Sequence, residues 1–180
     1  MTKLLHISDT HFGTEQGEVV NALGALVRQQ RPDLVVLSGD ITQRARPAQF
    51  RAARAFVDSL CGPVLAIPGN HDIPLFDLWA RLRNPYGRYS AAFGAELEPI
   101  HRSQDLLVVG VNTTRARRHR HGEVSAQQID RVARLVSHAD RTQLRVVVVH
   151  QPMAVMRAED EPHRLRGHAA ALTRWADAGA

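Results

Sequence analysis

The chain has 180 residues, 44% hydrophobic and 23% charged, which predicts one globular domain with a buried core and excludes a low-complexity or disordered chain. Its formal net charge of +5 favours anionic partners and substrates, and arginine supplies nearly all the positive charge, with Lys3 the sole lysine. A single cysteine, Cys61, excludes an internal disulfide; no apolar stretch is long enough to span a membrane and no signal-like segment opens the chain, so the expected compartment is the cytoplasm.

Apolar runs alternate with helical patterns along the chain, the signature of an α/β fold. Leu4 to Ile7 reads as a first strand. Val19, Val20, Leu23, Leu26 and Val27 recur at helical spacing, and Pro32 ends that helix. Leu34 to Leu37 is fully apolar, as a strand buried on both faces requires. Pro47 opens a second helix carrying Phe50, Ala53, Phe56, Val57 and Leu60; Cys61 beyond it is expected half-buried. Val64 to Ile67 is a third strand. Residues 74–95 are less regular, with a short helix expected around Leu75 to Leu82 and a loop through Pro85-Tyr86-Gly87. Leu106 to Val111 is a strand, 115–122 a basic loop, and Ser125 the N-cap of a helix carrying Ile129, Val132, Leu135 and Val136. Arg145 to Val149 is another buried strand. The last helix is expected from about Arg164 to Ala178, with Gly179 as its stop. Trp79 and Trp175 read as packing residues, and Tyr86 and Tyr89 as residues that cap the core.

Polar residues of one chemical kind follow these strands. They are Asp9 and His11 in Asp9-Thr10-His11, Asp40 after Gly39, Asn70 in Gly69-Asn70-His71-Asp72, and His150 after four valines. In α/β sheets, ligands bind beyond the carboxyl ends of the strands, where loops distant in sequence converge. Carboxylate and amide oxygens mixed with imidazole nitrogens suit manganese, iron or zinc. Two such ions can clamp a phosphate and activate a water, and Asp40 offers two oxygens with which to bridge them.

In this order and spacing, Asp9-x-His11, Gly39-Asp40, Gly69-Asn70-His71-Asp72 and His150 resemble the first motif blocks of the calcineurin-like metallophosphoesterases, and the resemblance runs through the whole chain. Asn70 to Leu75 and Gly122-Glu123 followed by Gln127 look most like the bacterial class III cyclic-nucleotide phosphodiesterases. The resemblance implies a sandwich of mixed sheets flanked by helices, and two metal ions (manganese, iron or zinc). Asp9, His11 and Asp40 would hold one ion, and Asp40, Asn70 and His150 the other. His71 would contact the phosphate or protonate the leaving oxygen, and Asp72 would orient His71.

The family closes its site with a Gly-His-x-His block after a further strand. Here Gly167-His168-Ala169-Ala170 lacks the second histidine and falls inside the expected last helix. Residues 1–180 are therefore expected to form a C-terminally incomplete metallophosphoesterase domain with impaired activity and an open sheet edge.

Arg115-Ala116-Arg117-Arg118-His119-Arg120-His121 is the densest positive patch. It reads equally as a solvated loop or as a rim that captures substrate phosphate through Arg117 and Arg118. The expected activity is hydrolysis of a small phosphodiester, a cyclic nucleotide being one candidate. The alternatives are a nuclease of the same fold, which the charge fits although no DNA-binding module accompanies it, and a non-catalytic remnant acting as a binding protein. No membrane partner is expected, and the sequence leaves the oligomeric state open.

Overall fold

The computed structural model describes residues 2–118 and 121–180. Six strands and six α-helices follow in the order β1 (Leu4–Ile7), α1 (Gly17–Gln30), β2 (Leu34–Leu37), α2 (Pro47–Asp58), β3 (Val64–Ala66), α3 (Leu78–Arg83), α4 (Gly87–Phe93), β4 (Ile100–Arg102), β5 (Leu106–Gly110), α5 (Ala126–Ser137), β6 (Leu144–Val148) and α6 (His168–Asp177). Short 3-10 turns cover Asn70–Asp72 and Ala158–His163.

The strands form two sheets. The first is parallel in the order β1-β2-β3; in the second, β5 lies between antiparallel β4 and parallel β6. Strand alternation divides the apolar side chains between two interfaces. Leu34 and Val36 of β2 meet Leu106 and Val108 of β5 between the sheets. Val35 and Leu37 face the other way, onto Val27 of α1 and Phe50 and Phe56 of α2. Leu107 and Val109 likewise face Ile129, Val132 and Val136 of α5 and Trp175 of α6. The result is a sandwich of a parallel and a mixed sheet with helices on both outer faces, as expected. Each fully buried leucine or valine contributes about 1.5–3 kcal/mol, which explains why β2 and β5 are apolar at every position or nearly so.

Local chemistry sets several boundaries. Arg31 takes a left-handed conformation, closes α1 through its N–H to the Val27 carbonyl, and precedes Pro32. Ser125 Oγ accepts from Gln128 N at 3.2 Å, while Gln128 Oε1 accepts from Ser125 N at 3.0 Å, a reciprocal cap for α5. Gly179 lies at φ +96 just past α6.

Some expectations change. Pro85 and Tyr86 form the expected turn, but Gly87 already begins helix α4, which buries Tyr89. β4 adds a short antiparallel edge. Cys61 is exposed rather than half-buried. Trp175 is buried, with its indole N–H on the Ile129 carbonyl at 3.1 Å, but Trp79 is 67% exposed beside Phe76, Leu78 and Leu82, so it is not a packing residue. Gly167 is the residue before α6 and His168 its first, so that pair opens the helix instead of lying inside it. Among the described residues, no helix is long and apolar enough to cross a membrane.

Candidate metal centre

The loops leaving β1, β2, β3 and β6 meet at the carboxyl ends of the two sheets. Backbone bonds weld the first two together: Asp9 N to the Gly39 carbonyl at 3.2 Å, His11 N to the Asp40 carbonyl at 3.0 Å, and Phe12 N to the Ile41 carbonyl at 2.8 Å. Asp9, His11 and Asp40 all sit at positive φ, at 55, 44 and 47 degrees. Such left-handed conformations cost energy in residues with a side chain, and the surrounding bonds hold them in place. Close approach of the β2 and β3 loops needs glycine. A Cβ on Gly39, itself at φ +98, would lie 2.7 Å from His150 Nδ1 and 2.8 Å from Gly69 Cα.

Asp40 is the hub. Its Oδ1 accepts from the His71 amide at 2.8 Å and lies 3.3 Å from His150 Nε2. Its Oδ2 lies 3.9 Å from His11 Nε2 and 4.0 Å from His71 Nε2. Burial raises the Asp40 carboxyl, but the bond and charge of His150, the His71 amide and the His71 ring outweigh it and leave the group below its ordinary value. The carboxylate is thus ionised at neutral pH. Burial also lowers His150, while the Asp40 bond and charge and the Ser38 carbonyl bring it above its ordinary value.

The tautomers follow from the partners. His150 Nδ1 lies 2.9 Å from the Ser38 carbonyl, which can only accept, so Nδ1 carries hydrogen. Its Nε2 then points at two oxygens, Asn70 Oδ1 at 3.2 Å and Asp40 Oδ1 at 3.3 Å. A lone pair facing two oxygens is relieved by a proton or by a cation among them. His71 repeats the pattern, with Nδ1 on the Gln43 carbonyl at 2.9 Å and Nε2 turned toward Asp40. Histidines that bind metals are commonly fixed in this way, through the other ring nitrogen on a carbonyl.

The donor set fits metal ions. His11, Asp40 and His71 form one group and Asp9, Asp40 and His150 another, with ligand atoms within 4.8 Å of one another in each. Asp40 belongs to both. All the expected ligands therefore converge. The grouping differs from the expected one in that His71 joins His11, and Asp9 faces both His150's group and His11, whose Nε2 is 3.8 Å from Asp9 Oδ1.

Asp72 bonds the two loops beside His71. Its fully buried carboxylate accepts from Gly69 N at 2.9 Å, Ile41 N at 3.1 Å, Thr42 N at 2.8 Å and Thr42 Oγ1 at 2.9 Å. Burial pushes it up to about 6 against the pull of those amides. It ties the β2 loop to the β3 loop, while the His71 ring has the Gln43 carbonyl 2.9 Å from its Nδ1. The carbonyls of Ser38 and Gln43 were not found from sequence, because a main-chain acceptor leaves no trace in residue identity.

Of the substrate-rim candidates, Arg117 is exposed and Arg118 pairs with Glu123 at 2.7 Å. His119 and Arg120 lie outside the described residues. The base of this loop adjoins the site's edge, since Thr113 Oγ1 bonds Gln151, the neighbour of His150, and Gly122 packs on the same glutamine. His168 bonds the Leu165 carbonyl at 2.8 Å, within its own turn.

Residues 2–174 match the calcineurin-like phosphoesterase family. A glycerophosphodiester phosphodiesterase of Enterobacter lignolyticus is 42% identical over 82 residues, covering 38% of this chain and 29% of the relative. A cAMP/cGMP dual specificity phosphodiesterase of Mycobacterium tuberculosis is 30% identical over 141 residues, covering 70% of this chain and 42% of the relative. The chain thus spans less than half the length of these two proteins. The crystal structure of a dimetal phosphatase from Danio rerio superposes with a TM-score of 0.70 at 16% identity, over 96% of this chain and 76% of that one, which shows a shared fold.

Proposed function

This chain belongs to the calcineurin-like phosphoesterase family, and on that premise we propose that its cleft hydrolyses a small phosphodiester, with a cyclic nucleotide as the leading candidate. The observation that carries the reading is the ionised Asp40 carboxylate shared by two donor groups at the ends of four strands. Asp9, His11 and Asp40 would hold one ion and Asp40, Asn70 and His150 the other, a division supported by His11 Nε2 at 3.8 Å from Asp9 Oδ1 and His150 Nε2 at 3.2 Å from Asn70 Oδ1, with His71, also beside Asp40, kept for the proton. Manganese, iron or zinc held there would supply Lewis-acid stabilisation of the phosphate and a nucleophile from water at neutral pH.

The chain's own residues do the rest. Asp40 and Asp9 concentrate negative charge where cations bind, and Asn70 offers an oxygen without adding to it. Ser38 and Gln43 hold the His150 and His71 rings by their Nδ1–H, leaving Nε2 for the site. A proton held on His71 Nε2 is placed for delivery to the leaving oxygen. Asp72 keeps the two loops in register. The support for a small diester is that the named relatives act on glycerophosphodiesters and on cAMP and cGMP. Arg117 is proposed to meet the substrate phosphate. An exposed free thiol at Cys61 suits a reducing compartment such as the cytoplasm.

The test is the purified 180-residue chain with manganese or iron, assayed on bis(p-nitrophenyl) phosphate and on cyclic AMP, with bound metal counted. Two ions and metal-dependent turnover are expected. A chain that binds no metal and turns over neither substrate is a non-catalytic remnant. The charge of +5 is the observation behind a nuclease reading, which salt-sensitive DNA binding with DNA cleavage would establish instead.

A further inference from the structure

A groove between α2 and α4 lies apart from the metal centre. Its floor is apolar, made by Phe50, Ala91 and Ala92, and Arg51, Arg54 and Arg88 stand around it. Its volume of about 390 Å³ is of the size that holds small organic ligands.

The charges around it are unequal. Arg54 is neutralised by Asp58, with Nε to Oδ1 at 2.9 Å, and Arg88 by Asp77. Arg51 is exposed and has no acidic partner among the described residues. The groove therefore presents one uncompensated guanidinium beside an apolar surface. A bare inorganic anion would leave that floor wet, and an uncharged apolar molecule would leave Arg51 unmatched.

We propose that this groove binds a small amphipathic monoanion, an alkyl or aryl carboxylate, with its apolar part on Phe50, Ala91 and Ala92 and its carboxylate forked onto Arg51. Occupancy is linked to the metal centre through Arg88. Its Nη1 donates to the Ala45 carbonyl at 3.2 Å, and Ala45 sits at φ 49 in the loop whose Gln43 carbonyl holds His71 Nδ1 at 2.9 Å. A ligand that shifts Arg88 shifts the support of His71. The link rests on the reading of His71 given above; the binding does not.

Calorimetric titration of the metal-loaded chain with decanoate tests the groove, with acetate as the control. Saturable one-to-one binding of decanoate and none of acetate at equal concentration is expected. Arg51→Glu should weaken it by about tenfold or more, Arg51→Lys, which keeps the charge but loses the fork, should bind between the wild type and Arg51→Glu, and Ala91→Trp should block it with an unchanged circular dichroism spectrum. His71→Ala should bind decanoate as the wild type does, which separates this result from any failure of the phosphodiesterase reading. Should the tryptophan variant misfold, the Arg51 pair decides. Absence of saturable binding, or binding indifferent to Arg51→Glu, overturns the groove. The link is read in the His71 ring resonances, expected to move with decanoate in the wild type and not in Arg88→Ala; signals that stay fixed overturn it.

Discussion

Asp40 holds His71 by two contacts at once: its Oδ1 accepts from the His71 amide at 2.8 Å, and its Oδ2 lies 4.0 Å from the ring Nε2. One carboxylate thus positions the backbone of the β3 loop and faces the side chain proposed to move the proton. The first prediction concerns this group. Asp40→Asn keeps the shape but removes the charge shared by both donor groups. Loss of partners that merely support metal ligands costs about 10–100-fold in affinity, so loss of a shared ligand should cost on the order of 100-fold or more. Metal analysis after dialysis should find the variant depleted of both ions; wild-type occupancy would remove Asp40 from the bridging role.

His71 lies within reach of a metal group and is also the proposed acid, and the two roles separate in one variant. His71→Ala should lower kcat by about 10²–10⁴ with bound metal unchanged, the magnitude of a lost general acid. A fall in metal content that parallels the fall in rate would make His71 a ligand instead.

Asp72 should matter through the fold rather than through the reaction. Asp72→Asn replaces one of two acceptor oxygens by an NH2, which must face either the hydrogens of Gly69 and Ile41 or those of the Thr42 amide and hydroxyl. Leaving buried donors unmatched costs about 1–3 kcal/mol. Urea unfolding of the metal-free protein should show an unfolding free energy lower by that amount, with the midpoint moved down accordingly; an unchanged value would mean the loops are held by other bonds.

Arg117 and Arg118 differ in what they have to lose. Arg118 is paired with Glu123, while Arg117 is exposed. Arg117→Ala should raise KM for a phosphodiester about 2- to 5-fold at low salt, as expected for a solvent-exposed charged contact worth up to roughly 1 kcal/mol, with kcat little changed. Arg118→Ala should do less. If KM does not respond to either, the loop is a solvated surface.

The two tryptophans give a contrast in stability. Trp175 is 5% exposed and Trp79 67%. Trp175→Ala should cost about 3–5 kcal/mol, and Trp79→Ala should stay within about 0.5 kcal/mol of the wild type. Equal costs would contradict the burial of Trp175 against Ile129.

Elements bounded by apolar runs were legible without coordinates. β2 and β5 are apolar because both faces are covered, and α5 announces itself through Ser125 and its apolar stripe. α4 was hidden because Gly87 opens it and Gly94 ends it within seven residues, too short for a period to show. β4 was hidden because three residues with exposed ends carry almost no alternation. Trp79 misled because an aromatic residue on a helix is usually buried, and here α3 turns that face outward.

Of the centre itself, the identities of Asp9, His11, Asp40, Asn70, His71 and His150, each following a strand, were determined by the sequence, because metal chemistry demands particular donor atoms and those are side-chain atoms. Their division into groups, the tautomers of His71 and His150, and the use of Asp72 as a clamp were decided only by the tertiary structure. Each depends on main-chain groups, such as the carbonyls of Ser38 and Gln43 and the amides of Ile41 and Gly69. Every residue carries those groups alike, so only the fold determines which of them meet.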